Sequence, residues 1–166
     1  TWVTGVQTCA LPISRKSILG NVVWWNGPVA WRSERQDDHA LSSGEAELYG
    51  AARLAPSVRG IRIAAVDMGI RDATAGPIKL ELDNTAAISM CNTPYTSKAI
   101  RHIDLRHLQI RQWVARGEFT VSYLPTDIIP SDLLTKALPR TEFLKKRALL
   151  GMVDLAELNG SSEGGC

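Results

Sequence analysis

Hydrophobic and polar positions change period several times along this chain, and each change marks an element. Positions 18–25 and 29–32 are β-branched and aromatic, and Asn26-Gly27 between them is a dipeptide favoured by two-residue hairpin turns, so a hairpin is predicted. Leu48, Ala51, Ala52, Leu54, Ala55 and Val58 then recur at helical intervals, behind Ser42 and Glu45 in the S-x-x-E spacing of a capping box. A long helix should start near Ser43, bend or divide at Pro56, and stop at Gly69. Residues 78–82 (IKLEL) read as a strand, and Asp83-Asn84 can end it and cap a helix over 85–91. Pro94 closes that helix, and 98–116 reads as another, with Ile103, Ile110 and Val114 inward and Gly117 as its cap. Phe119, Val121 and Tyr123 alternate as a half-buried strand. Two shorter helices, 130–137 and 141–150, follow on either side of Pro139, and the small polar residues after Leu158 should be disordered. Strands first, then helices alternating with strands, predict an α/β fold with a mixed sheet flanked by helices.

Composition narrows this picture. A chain of 166 residues with 45% hydrophobic and 22% charged content is sized for one domain with one core. The net charge of +2 is too small to imply a nucleic-acid partner by itself. Cys9, Cys91 and Cys166 lie far apart, so neither a zinc site nor a disulfide framework is indicated and a reducing, intracellular setting is expected. No apolar run approaches the roughly 18 residues that cross a bilayer, and no membrane association is expected. Residues 1–14 carry no charge, whereas charges are frequent from Arg15 onward. That seam divides the chain into a 1–14 segment, read as sequence foreign to the domain, a domain over 15–153, and a flexible tail over 154–166. The other reading of the first segment is a makeshift strand using Trp2, Val3 and Val6.

Three acids stand near element ends, where α/β sheets gather their ligand sites. Asp83 follows the 78–82 strand, Asp132 comes at the start of the 130–137 helix soon after the 119–123 strand, and Glu47 lies in the first turn or so of the long helix. Each alone reads as a turn or first-turn acid. Together they would repel unless a cation compensated, and magnesium, which takes oxygen ligands and substrate phosphate, is the usual one. Two such ions about 4 Å apart activate a water and stabilise the leaving oxygen of a phosphoryl displacement, so the chemistry indicated is phosphodiester hydrolysis.

The string WRSERQDDHALSSGEAELY from Trp31 resembles the W-x-S-K-x-Q…A-L-S-S-x-E-A-E-Y signature of RNase H domains in copia-type retrotransposon Pol polyproteins. LDNTAAI from Leu82, RHIDLRHLQIRQWV from Arg101 and YLPTDIIPSDLLTKALPRTEF from Tyr123 follow in that family's order. The resemblance implies an RNase H-like fold with a five-stranded mixed sheet. It also implies catalytic and metal-holding roles for Glu47, Asp83 and Asp132, with Glu45 left as the capping partner of Ser42. Family members also carry an aspartate on the first strand. Here no Asp or Glu precedes Glu34, so the first strand is expected to be replaced or missing, and with it one of four metal ligands.

The implied activity is metal-dependent hydrolysis of RNA in RNA:DNA hybrids, impaired by that loss, with magnesium or manganese held weakly. The partners implied are the hybrid and the reverse transcriptase portion of the same polyprotein, with the isolated domain a monomer. The alternative is a non-catalytic nucleic-acid-binding or scaffold module docking on reverse transcriptase. The candidate substrate contacts are Asn84 and Thr85, next to Asp83, together with Arg101, His102 and Arg106 on a separate helix that also bears Lys98, His107 and Arg111. No histidine is assigned as a general base, and Trp24, Trp25, Trp31 and Trp113 are read as packing residues.

Overall fold

The computed structural model describes residues 2–10, 17–37, 39–70, 73, 76–93, 103 and 105–155. Five strands form one sheet: β1 (Val3–Ala10), β2 (Ser17–Trp24), β3 (Pro28–Arg35), β4 (Ile78–Leu82) and β5 (Phe119–Tyr123), in the order β3-β2-β1-β4-β5. The first two pairings, β3 with β2 and β2 with β1, are antiparallel, and the last two, β1 with β4 and β4 with β5, are parallel. The predicted mixed α/β sheet is therefore present.

The uncharged first segment becomes the middle strand. Val3 to Ala10 run opposite Trp24 to Ser17, while Val3 to Val6 pair with Lys79 to Leu82. Residues expected to be foreign or missing thus fill the first-strand slot, and the makeshift-strand reading holds. Trp2, Thr4, Gly5 and Val6 are all buried, as a strand covered on both faces requires. Trp2 stacks on Trp25 with ring centroids 4.5 Å apart and donates its indole N–H to the Ala73 carbonyl at 3.2 Å.

The hairpin loop is one residue longer than the sequence indicates. It spans 25–27, with Asn26 at φ 55° and a register shift between Val23 and Trp24. Helix α1 (Ser43–Asp67) is a single helix that contains Pro56, where a bend or break was expected. Ser42 caps it by accepting from the Glu45 N–H at 3.1 Å. One face of the sheet packs on α1, with α2 (Thr85–Asn92) and α3 (Leu105–Ala115) against that helix. The core there includes Val6, Leu19, Leu48, Leu54, Val58, Leu80, Leu82 and Ile110.

The opposite face is covered by the chain after β5. The segment expected as a helix over 130–137 is a 3-10 helix, Pro130–Leu134, preceded by a 3-10 turn at Thr126–Ile128 and followed by α4 (Arg140–Leu149). Gly20 on β2 makes this covering close. A Cβ at Gly20 would lie 2.5 Å from the Ser131 carbonyl oxygen and 2.7 Å from Thr135. Of the tryptophans read as packing, Trp113 is buried and Trp24 and Trp25 are half-buried, but Trp31 is 68% exposed because β3 is an edge strand.

Candidate active site

The carboxyl end of β4 is where α1, α2 and the post-β5 segment meet. Asp83 leaves β4 there, and Asn84 caps α2 by accepting from Ala86 N–H at 2.9 Å and Ala87 N–H at 3.2 Å. Gly44, in the first turn of α1, permits this approach. A Cβ on it would lie 3.0 Å from the Ala86 methyl and 3.1 Å from the Asn84 Oδ1.

Glu47 comes from α1 and is 2% exposed. Its Oε1 accepts the Asp83 backbone N–H at 3.0 Å. Burial, followed by the charge of Asp83 and a hydrogen bond with its side chain, pushes the Glu47 carboxyl up to about 8. Near neutrality Glu47 therefore holds a proton. Asp83 also accepts at Oδ2 from the Thr126 hydroxyl at 2.9 Å. Glu45 is engaged elsewhere: it accepts from the Leu41 N–H at 2.9 Å and from the Tyr49 hydroxyl.

Asp132 approaches from the other side of the sheet and meets lysines. It is 2% exposed, Lys136 Nζ lies 2.8 Å from its Oδ1, and Lys146 Nζ lies 3.4 Å from its Oδ2. Lys146 is itself 2% exposed and donates to the carbonyls of Thr126 and, at 3.1 Å, Ile129. A continuous path thus runs from Glu47 through Asp83, Thr126 and Lys146 to Asp132. The structure brings Glu47 and Asp83 into direct contact and leaves Asp132 apart from them, with Thr126 and Lys146 between.

This donor set can be weighed against the metal implied by the resemblance. Two carboxylates in contact offer the oxygen ligands a divalent cation prefers, and the cation would displace the Glu47 proton. Asp132 is already compensated, since ammonium groups face both of its oxygens. Among the described residues no group of three His, Cys, Asp or Glu is arranged to hold an ion. Glu47 and Asp83 could together hold one ion, whereas Asp132 is already balanced by two ammonium groups.

The candidate substrate contacts divide differently. Asn84 is the α2 cap and Thr85 is exposed beside it. Arg101 and His102 lie outside the described residues, as does the first part of the helix expected over 98–116, and Arg106 is placed only as a residue of α3. His107, read as an outward donor, is instead buried and stacked on Tyr49 at 4.1 Å. Arg111 turns inward, donating to the Met90 carbonyl at 2.6 Å. Thr126 and Lys146 are the site residues that sequence reasoning missed. Lys145, Lys146 and Arg147 are indistinguishable in the sequence, and only the seating of α4 selects the middle one.

The chain also compares with known proteins. No family model matches it. Among solved structures, LC11-RNase H1, isolated from compost by a metagenomic approach, superposes with a TM-score of 0.58 at 11% identity, covering 81% of this chain and 92% of that one. The same protein in complex with an RNA/DNA hybrid gives 0.56 at 10% identity, covering 81% and 94%. This chain has the RNase H fold. The RNase H-like domain is also 28% identical over 140 residues to the Retrovirus-related Pol polyprotein from transposon TNT 1-94 of Nicotiana tabacum, so the resemblance to a retrotransposon Pol polyprotein stands. That match covers 84% of the chain and 10% of the relative, so the RNase H-like domain spans about a tenth of that protein's length. Among the described residues no helix is long and apolar enough to cross a membrane.

Proposed function

We propose that this RNase H-like domain recognises RNA:DNA hybrids and hydrolyses their RNA strand poorly, through a metal site reduced to Glu47 and Asp83. The carrying observation is the contact of those two acids at the end of β4, where buried Glu47 accepts the Asp83 backbone N–H. Magnesium or manganese bound there would supply a Lewis acid next to a scissile phosphate. Asp83 presents one carboxylate oxygen, oriented by the Thr126 hydroxyl, and Glu47 presents a second from the buried side. Thr85 is exposed beside Asn84, where the phosphodiester backbone of a hybrid would pass, and Arg101, His102 and Arg106 are proposed from the sequence as further contacts to it. The solved relative bound to an RNA/DNA hybrid supports that choice of substrate.

Similarity to a Pol polyprotein supports a reverse transcriptase portion as covalent neighbour. We take the isolated domain to be a monomer, working where reverse transcription takes place inside the cell. The copia-type signature from Trp31 supports a copia-type element as its source.

The reading is tested by cleavage of a labelled RNA:DNA hybrid with magnesium. Slow turnover that disappears in Asp83→Asn is expected, whereas turnover that persists in Asp83→Asn would remove the site from the chemistry. A second reading, a hybrid-binding module without hydrolysis, is favoured by the pairing of Asp132 with two lysines. Its mark would be salt-dependent hybrid binding with no cleavage at any magnesium or manganese concentration.

A further inference from the structure

Lys146 is the most fully enclosed cation among the described residues, and its surroundings are those of a bound ion. An ammonium has three donors, and three oxygens receive them: the carbonyls of Thr126 and Ile129 and the Asp132 carboxylate. Asp132 is equally committed. Its Oδ1 faces Lys136 at 2.8 Å and the Thr135 hydroxyl at 3.4 Å, and its Oδ2 faces Lys146. The carboxylate and its counter-charge come from segments that pack on each other, the 3-10 helix and α4. A divalent ion reaching Asp132 would have to displace a buried ammonium, stranding it against two carbonyls in a site closed to water.

We propose that Lys146 is a built-in counter-cation for Asp132, standing where a second metal ion would otherwise be needed, so that the centre takes a single divalent ion held by Glu47 and Asp83. The assignment rests on the reading of those two acids as the metal-holding pair. Lys146 is then a positioning residue.

The test is a manganese titration of the whole chain, read by calorimetry and by the loss of the free-ion electron paramagnetic resonance signal. One ion per chain is expected. Asp83→Asn should weaken it at least about tenfold by removing a ligand, while Asp132→Asn should leave its affinity within about twofold. The double variant Asp132→Asn/Lys146→Met removes both buried charges together, a change that interiors tolerate far better than the loss of one partner. It should keep one ion at wild-type affinity, and circular dichroism would verify its fold. Two ions in the wild-type chain, or a tenfold loss in Asp132→Asn or in the double variant, would overturn the role given to Lys146 while leaving the Glu47–Asp83 site intact. No ion bound by the wild-type chain, or binding indifferent to Asp83→Asn, would instead remove the metal-holding pair itself, and the single-ion count with it.

Discussion

Glu47 links folding to pH at a single carboxyl. Its ordinary value is 4.5 and the folded chain raises it to about 8. Below pH 4.5 both states hold the proton; between 4.5 and 8 the unfolded chain releases it while the folded chain keeps it; above 8 both have lost it. Stability from this residue is therefore greatest on the acid side and falls through that window by up to about 1.4 kcal/mol per pH unit. Urea unfolding of wild type and Glu47→Gln at pH 5 and pH 7.5 should show the variant gaining on the wild type as pH rises, and a constant difference would refute the shift. Asp83→Asn removes the neighbouring charge, so the Glu47 titration followed by carboxyl NMR should move down toward its ordinary range. Cys91 is silent in such experiments, because burial pushes its thiol up to about 12.

Two contacts at the scale of elements set the site's geometry, and each has a mutational signature. Alanine at Gly20 would press on a backbone carbonyl, which cannot swing aside, so the 3-10 helix carrying Asp132 must shift from β2. A loss of about 1–3 kcal/mol in denaturant unfolding is expected, the usual cost of overpacking. Asn84→Ala removes the cap that accepts two α2 N–H groups and should cost about 1 kcal/mol. The sequence shows these elements unequally. α1, β4, α2 and β5 were legible because their periods, caps and breakers agree with their tertiary roles. Pro130 and its neighbours looked helical from composition, but only five residues are helical there and the turn tightens to 3-10. Glu47 and Asp83 could be paired through the family motifs, yet the lysines around Asp132 could not be anticipated. Local sequence does not state which face of α4 turns inward, and the inward course of His107 and Arg111 was hidden for the same reason.

At the scale of the whole molecule, the least legible segment is the most central. The lack of charge in residues 1–14 marked a seam in the sequence, and the same lack is what a middle strand buried on both faces demands. Over Trp2 to Val6 it shows no alternation because both faces are covered there, so the usual strand signal was missing. A chain starting at Arg15 would leave β2 and β4 each without a partner along one edge and would lose Trp2 and Val6 from the core. It should be unfolded by circular dichroism and rapidly digested by protease, whereas a folded truncated chain would show that β1 is dispensable.

The strand order has a kinetic consequence. On the ribosome β1, β2 and β3 emerge together and can zip into an antiparallel meander at once, but the other flank of β1 waits for β4, which follows the whole of α1. Until then the nascent chain presents an apolar strand with one row of backbone amides and carbonyls open to any passing strand. Synthesis that stalls within α1 would hold the chain in that sticky, half-zipped state, and chaperone capture should peak there.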